Sequence, residues 1–204
     1  MSTYYFTPTP TVPSRPREVF LRVGGRLYVF ETDRGVFSYR GVDRGTRLLL
    51  EALHVRPTDE ILDVGCGYGV IGIMAASQAP LGRAVLVDVN ERAVELSRRN
   101  AARAGLRNVE VRQGSLYEPV AGETFDLIVT NPPIRAGRGV VRAIIEGARA
   151  HLRPGGAFYL VARTAQGAKT LGRLIAQVFG NAEEVERGGG FRVYRAVKAG
   201  GTDV

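Results

Sequence analysis

The residues best suited to chemistry fall in short segments that each follow an apolar, β-rich run. The first is Asp63-Val64-Gly65-Cys66-Gly67-Tyr68-Gly69. Glycines at every second position let the backbone turn tightly and approach a ligand closely. The spacing is not that of a dinucleotide fingerprint, whose third glycine would fall at Val70, and no G-x-x-x-x-G-K-[ST] phosphate loop is present. An acid two places before the first glycine suits an ammonium group and not a pyrophosphate. The second segment is Asp88, 25 residues beyond Asp63 and followed by Val89 and Asn90. A carboxylate there accepts two hydrogen bonds from ribose hydroxyls, the alternative being a cap for a helix that starts at Glu91. The third, Gly114-Ser115-Leu116, lies where an adenine is expected. A ligand with an amino group, a ribose and no need of phosphate binding is S-adenosylmethionine.

The fourth segment, Asn131-Pro132-Pro133-Ile134, is the sharpest. Two prolines cannot continue a paired strand, so the run Phe125–Thr130 ends there and the loop is stiff. The acceptors of Asn131 and Pro132 converge to grip an exocyclic NH2 and aim its lone pair at an incoming methyl group, which is catalysis by positioning. The bland alternative is an ordinary Pro-Pro turn; the glycine loop and Asp88 together favour the catalytic reading. Arg135 and Arg138 follow at once, in reach of phosphates or an RNA base. With Arg163 and Lys169 they follow strand ends, so all four are expected around one mouth. Cys66 is the lone cysteine; only His54 and His151 are present, so neither an internal disulfide nor a zinc cluster is expected. Cys66 sits inside the glycine run, where its size is expected to matter more than its sulfur.

The elements that must hold these residues read as alternating strands and helices. The β-rich runs are Glu60–Val64, Ala84–Val89, Val109–Arg112, Phe125–Thr130 and Ala157–Ala162. Continuous apolar runs suit strands covered on both faces. Between them, Val141, Ile144, Ile145, Ala148 and Leu152 recur at helical spacing, as do Ala168, Leu171, Leu174, Ile175 and Val178. Asp43 is the expected N-cap of a helix burying Val42, Thr46, Leu49, Leu50 and Leu53. Glu18–Glu31 reads as a hairpin turning at Gly24-Gly25, and Glu183–Glu186 with Phe191–Val197 reads as another around Gly188-Gly189-Gly190. The expected fold is α/β: a Rossmann-like, doubly wound sheet with an antiparallel C-terminal hairpin strand and an N-terminal β-hairpin extension. Residues 17–200 are expected to form one domain, with 17–42 as hairpin and cofactor lid. Residues 1–16, with four prolines, form an extended tail that is either disordered or packed on the domain through Tyr4, Tyr5 and Phe6.

Bulk properties narrow the partner. The chain has 204 residues with 45% hydrophobic content and a net charge of +8, and its pI is about 10.1. That balance favours a polyanion, nucleic acid first, over a general bias towards arginine, although only Lys169 and Lys198 of the basic residues are lysine. No secretory leader and no membrane-length apolar run appear, so a soluble cytoplasmic protein without membrane or metal partners is expected.

Taken together, D-V-G-C-G-Y-G, Asp88, N-P-P-I, the L-R-P-G-G of Leu152–Gly156, and Gly35-Val-Phe-Ser38 with Gly41-Val-Asp43-Arg-Gly45 resemble the "methyltransferase small" family of class I methyltransferases. The resemblance extends through Asn131–Gly137, Gln166–Lys169 and Phe179–Asn181 to single-domain archaeal relatives of the bacterial rRNA guanine-N2 enzymes. It implies a seven-stranded sheet whose last strand inserts antiparallel, Phe37 and Ser38 near the methionine end of the cofactor, and Asn131 to Ile134 around the target base. Position 115 is often Asp in relatives, where Ser115 stands here. The fourth N-P-P residue is commonly aromatic, where Ile134 offers only apolar contact. The resemblance thus implies an S-adenosylmethionine-dependent N-methyltransferase of guanine N2 in ribosomal RNA. Adenine N6 or a protein glutamine amide is an alternative target, and a non-catalytic RNA-binding or ribosome-assembly factor an alternative of another class. A guanine N2 hidden by pairing must be unpaired or flipped out.

Overall fold

The computed structural model describes residues 7–200 of the chain. Nine strands and five α-helices follow one another among these residues. β1 (Arg17–Val23) and β2 (Arg26–Thr32) form an antiparallel hairpin of their own, turning at Gly24-Gly25. The other seven strands form one sheet: β3 (Glu60–Val64), β4 (Arg83–Asp88), β5 (Val109–Gln113), β6 (Phe125–Thr130), β7 (Leu152–Arg163), β8 (Glu183–Gly188) and β9 (Phe191–Val197). Their spatial order is β5-β4-β3-β6-β7-β9-β8. The first five run parallel, and β9 inserts antiparallel between β7 and β8.

Alternation along the central strands explains the two layers. Ile61 of β3 and Leu127 and Val129 of β6 face one side, packed with Leu49, Ile73, Val94 and Leu96. Those four come from α1 (Arg44–Ala52), α2 (Val70–Ala76) and α3 (Glu91–Arg103). Leu62, Val64 and Ile128 face the other side, against Val141, Ile144 and Ile175 of α4 (Arg138–His151) and α5 (Ala168–Phe179). Both faces of the parallel strands are therefore apolar, as burial on two sides demands. Leu50 is half-buried, unlike the fully buried Leu49 it was expected to accompany.

β7 is longer than the run Ala157–Ala162 suggests. Its register with β6 jumps from Phe125↔Leu152 to Leu127↔Ala157, so Leu152–Gly156 forms an irregular excursion before the regular ladder begins. Residues 7–16 lie across the loop after β2 and the start of α3. Glu91 N donates to Pro8 O at 2.9 Å, the Ser14 hydroxyl donates to Asp33 at 2.6 Å, and Arg92 donates to Val12 O at 3.1 Å. Tyr4, Tyr5 and Phe6, the proposed packing residues of the tail, lie outside the described residues.

The strand order reverses between β3 and β6, because β4 and β5 extend one way and β7 the other. In open α/β sheets ligands bind in the crevice beyond the carboxyl ends of strands at such a reversal. The glycine loop follows β3 and Asn131-Pro132-Pro133 follows β6, so the topology brings these two sequence-distant segments side by side.

Candidate active site

A cavity of about 520 Å³ opens at that reversal. The end of β4 and the glycine loop line one part of it through Gly65, Gly67, Asp88 and Asn90. Asn131 to Arg135 line the middle, and Arg163, Gln166 and Phe191 line the far part. The segment between the hairpin and α1 closes it with Phe37, Ser38, Tyr39, Arg40 and Asp43.

Asp88 organises the first part. One carboxylate oxygen accepts from Gly67 N at 2.8 Å and the other from Asn90 N at 2.9 Å, which ties the glycine loop to the end of β4. Gly67 has φ 58 and Gly65 φ 74, backbone that a side chain disfavours. With about four lone-pair sites on its two oxygens, the carboxylate keeps acceptor capacity for a ligand hydroxyl. Burial pushes the Asp88 carboxyl up to about 6, although its three backbone hydrogen bonds oppose the shift. The cap of α3 is Asn90 and not Asp88: the Asn90 side chain accepts from Arg92 N and Ala93 N, and its amide donates to Gly35 O.

Several residues expected to touch a cofactor do not line the cavity. Asp63 is fully buried beneath the loop, with Oδ2 accepting from Gly72 N at 2.8 Å and Oδ1 without a hydrogen-bond partner among the described residues. The carboxyl expected beside an ammonium group thus lies beneath the loop and not on the cavity wall. Burial first, and the nearby Asp88 charge, push it up to about 7. Cys66 turns into the core, 3.6 Å from the Ser97 hydroxyl, and burial drives its thiol well above the ordinary range. Tyr68 packs edge-on against Phe30 in the core. Gly69 starts α2, where a Cβ would meet Ile73 and Ser97 at 2.9 Å. Val89 lies off the cavity. So do Ser115 and Leu116, although Gly114 N donates to Asp88 O and so holds their turn beside the Asp88 end.

The middle of the cavity is set by one side chain. The Asn131 Nδ2 group donates to Asp43 Oδ2 at 3.2 Å and to Thr46 Oγ1 at 3.1 Å. A carboxylate only accepts, so the amide nitrogen must face Asp43 and the carbonyl oxygen, Oδ1, must face away from it. The same Asp43 caps α1: Oδ1 accepts from Gly45 N and Thr46 N, while Oδ2 also takes the Thr46 hydroxyl at 2.5 Å. Asp43 was expected as a helix cap; its second oxygen is a positioning group for Asn131. The proline loop adds a tight bend. Pro133 has φ −73 and ψ 78 while Ile134 N donates to Pro132 O at 2.8 Å, the geometry of an inverse γ-turn. The Pro132 carbonyl thus already accepts one bond and retains one lone pair for a ligand.

The basic residues divide. Arg135 and Arg163 line this cavity, with the Arg163 guanidinium 5.1 Å above the Phe191 ring. Arg138 lines an adjoining cavity instead, and Lys169 lines neither. The expected single ring of four thereby becomes a pair at the site and one neighbour, because α4 and α5 carry Arg138 and Lys169 out along their own first turns. Phe191, Arg40 and Tyr39 line the cavity without having been expected there. Phe191 had a readable signal: an antiparallel strand begins at the rim where its parallel neighbours end, and Phe191 pairs with Arg163.

Among the described residues no helix is long and apolar enough to cross a membrane. Nor is there a group of three or more His, Cys, Asp or Glu able to hold a metal. Comparison with known proteins bears directly on the rest. Residues 27–195 match the methyltransferase small domain. The Bacillus subtilis protein YbxB is 39% identical over 200 residues, covering 97% of this chain and 100% of that protein. The ribosomal RNA small subunit methyltransferase C of Erwinia tasmaniensis is 37% identical over 179 residues, covering 86% of this chain and 51% of that protein. Among solved structures, the Thermus thermophilus 16S rRNA N2 methyltransferase in complex with AdoMet and guanosine superposes with a TM-score of 0.82 at 30% identity, covering 93% of this chain and 52% of that one. The chain thus spans all of the Bacillus protein and about half the length of the rRNA methyltransferases. It belongs to the methyltransferase small domain family of class I S-adenosylmethionine-dependent methyltransferases.

Proposed function

We propose that the chain methylates the exocyclic N2 amine of a guanine in ribosomal RNA, in the cytoplasm, from S-adenosylmethionine. The observation that carries this reading is the fixed amide of Asn131, whose nitrogen is held by Asp43 and Thr46 so that a carbonyl oxygen is presented. An acceptor fixed beforehand suits an NH2 substrate and would repel a carbonyl or carboxylate.

The residues present fit the cofactor. Asp88, tied between Gly67 and Asn90, is a carboxylate with acceptor sites left for ribose hydroxyls, and the Gly65–Gly67 backbone offers close approach. Phe37 and Ser38 close the same side of the cavity. When ionised, the buried Asp63 carboxyl adds negative potential beneath the loop, favourable to a cationic ligand. When bound, the cofactor supplies a methyl electrophile. Asn131 Oδ1 and the Pro132 carbonyl accept the two amine hydrogens, which turns the nitrogen lone pair towards the Asp88 side. No strong base is needed, since the alkylated nitrogen sheds its proton to water. Arg163 above Phe191, with Arg135 and Ile134, bounds the part left for the base and its phosphate.

The named relatives support the target: one acts on small-subunit ribosomal RNA, and the solved Thermus enzyme carries guanosine. Tritiated methyl transfer to ribosomal RNA, DNA and ribosomal protein tests the proposal, with nucleoside mass spectrometry of the product. N2-methylguanosine in RNA is expected. Label in adenine or in protein glutamine would replace the target, and cofactor binding with no transfer to any substrate would leave an assembly factor.

A further inference from the structure

We propose that the groove between α4 and α5 is a subsite for the nucleotide that flanks the target guanine in a single-stranded stretch of RNA; this rests on the RNA reading above. The groove holds about 480 Å³ and shares Ile134 and Gln166 with the active-site cavity. That volume lies within the range of sites for a small organic ligand. Ile134 lies in the middle of the active-site cavity and Gln166 in its far part, so the groove continues the base end and not the Asp88 end.

Its chemistry is that of a nucleotide site. Arg138, Arg142 and Arg173 line it, and no carboxylate does. Arg142 pairs with Glu146 at 2.9 Å, but among the described residues Arg138 and Arg173 form no ion pair or side-chain hydrogen bond. Unpaired guanidinium groups rimming a concave surface hold phosphate oxygens well. The floor is apolar, made by Val141, Leu171 and Leu174, which gives a base or ribose face something to cover. Thr170 and Gln177 supply neutral donors and acceptors for base edges or a 2′-hydroxyl. A chain whose guanine is turned into the active-site cavity can lead its next phosphate over Ile134 and Gln166 into this groove.

The test uses a 5′-fluorescein-labelled single-stranded ApApGpApA, with guanosine as a competitor that has no neighbour, in the presence of S-adenosylhomocysteine. Anisotropy titrations compare the wild type, the Arg138→Gln/Arg173→Gln double variant and a charge-matched Arg107→Gln/Arg149→Gln control. The control arginines are exposed, on the α3–β5 loop and in the last turn of α4, at the opposite rim of the sheet. The groove variant should weaken the pentanucleotide about tenfold and lower the slope of log K against log salt by about 1.4, the share of two phosphates on a single strand. Guanosine affinity should stay within twofold, and the control should match the wild type for both ligands. Equal losses in the groove variant and the control would overturn the subsite in favour of a diffuse basic field. A matching loss for guanosine would overturn it too, by making the groove part of the target's own pocket. Because binding is read without methyl transfer, failure of the wild type to methylate ribosomal RNA would sink the functional proposal while leaving this one standing or falling on its own data.

Discussion

Asp43 holds two functions in one carboxylate, and Asp43→Asn separates them. Oδ1 caps α1 through Gly45 N at 2.8 Å and Thr46 N at 3.2 Å. Asn is as good an N-cap as Asp, so those bonds and the helix survive the change. Oδ2 is different: it accepts from Asn131 Nδ2 at 3.2 Å, from Thr46 Oγ1 at 2.5 Å and from Ser38 Oγ at 3.4 Å. Replaced by an NH2 group, that position sets donor against donor at Asn131. The cheapest relief is a half-turn of the Asn131 amide, which puts its oxygen towards the new donor and its nitrogen into the cavity. The amine substrate then meets a donor where it needs an acceptor.

A hydrogen bond to a group gaining charge contributes about 2–3 kcal/mol, so the expected loss is roughly 30- to 150-fold in the methyl-transfer rate. Asp43→Ala is the informative comparison. It removes the cap, costing about 1 kcal/mol of stability, or about 2–4 °C for a domain of this size. It merely frees the Asn131 amide and does not force it round. Activity should therefore fall more in Asp43→Asn than in Asp43→Ala, while melting temperature falls more in Asp43→Ala. Single-turnover transfer to ribosomal RNA gives the rates, calorimetry with S-adenosylmethionine checks that its Kd stays within about threefold, and thermal melts give the stabilities. An Asp43→Asn enzyme within threefold of wild-type rate, or one less active only because it melts, would refute the idea that Asp43 sets the polarity of Asn131.

Asp88→Ala should weaken S-adenosylmethionine binding by at least tenfold in a calorimetric titration, since the ribose acceptor and the tie between Gly67 and Asn90 go together; unchanged affinity would remove Asp88 from the site. The raised carboxyls of Asp88, about 6, and Asp63, about 7, bind protons in the folded state that the unfolded chain has already released, so the ligand-free protein should lose stability as pH rises from about 4 to 7. A ligand that needs ionised Asp88 should bind in the opposite sense, about tenfold tighter at pH 7.5 than at pH 5, and Asp88→Asn should flatten that contribution; melts and titrations across the range read both signs. Cys66, buried with its thiol driven up, should resist iodoacetamide at pH 8 until the protein unfolds, and rapid alkylation of native protein, seen by mass spectrometry, would contradict its placement. Leu62→Ala, in the middle of β3 with its side chain wholly buried, should cost about 2–5 kcal/mol by denaturant titration without altering the Kd of whatever cofactor-competent fraction remains.

Much of this was legible in the residues because the sheet converts sequence order into place. The runs Glu60–Val64 and Phe125–Thr130 coincide with β3 and β6, and both hairpins turn at their glycines. Once the strands are known, whatever follows a parallel strand lies on the rim, which is why Asp88 and Asn131 line the cavity as expected. Side-chain direction was not legible. Residues 65–68 alternate between cavity and core as the loop bends, so Cys66 and Tyr68 lie off the cavity that Gly65 and Gly67 line. Asp63 lies on a strand covered on both sides, and its burial follows from the sheet and not from the motif. Asp43 was visible only in its local role, since its link to Asn131 spans 88 positions and forms when α1 packs beside the end of β6. Leu152–Gly156 hid a register jump, because a Pro-Gly-Gly excursion and the start of a strand look alike until the partner β6 is fixed.

The cavity has opposite electrical character at its two ends, and this decides more than the net charge of +8 does. Asp88 lines the glycine-loop end with Asp63 buried beneath it, whereas Arg135 and Arg163 line the other and Arg138, Arg142 and Arg173 continue beyond it. A uniformly basic crevice would draw RNA phosphates over the whole surface and would repel a ligand that carries ammonium and sulfonium charges. Segregation eases that conflict, as the acids favour the cationic partner at the end away from Arg135 and Arg163. Asn131 stands between the two ends with its nitrogen towards Asp43 and its oxygen turned away from that carboxylate. On the proposed reading, orientation of the reacting nitrogen and separation of the two ligands both follow from this charge arrangement, held by the ends of β4 and β6 and the cap of α1.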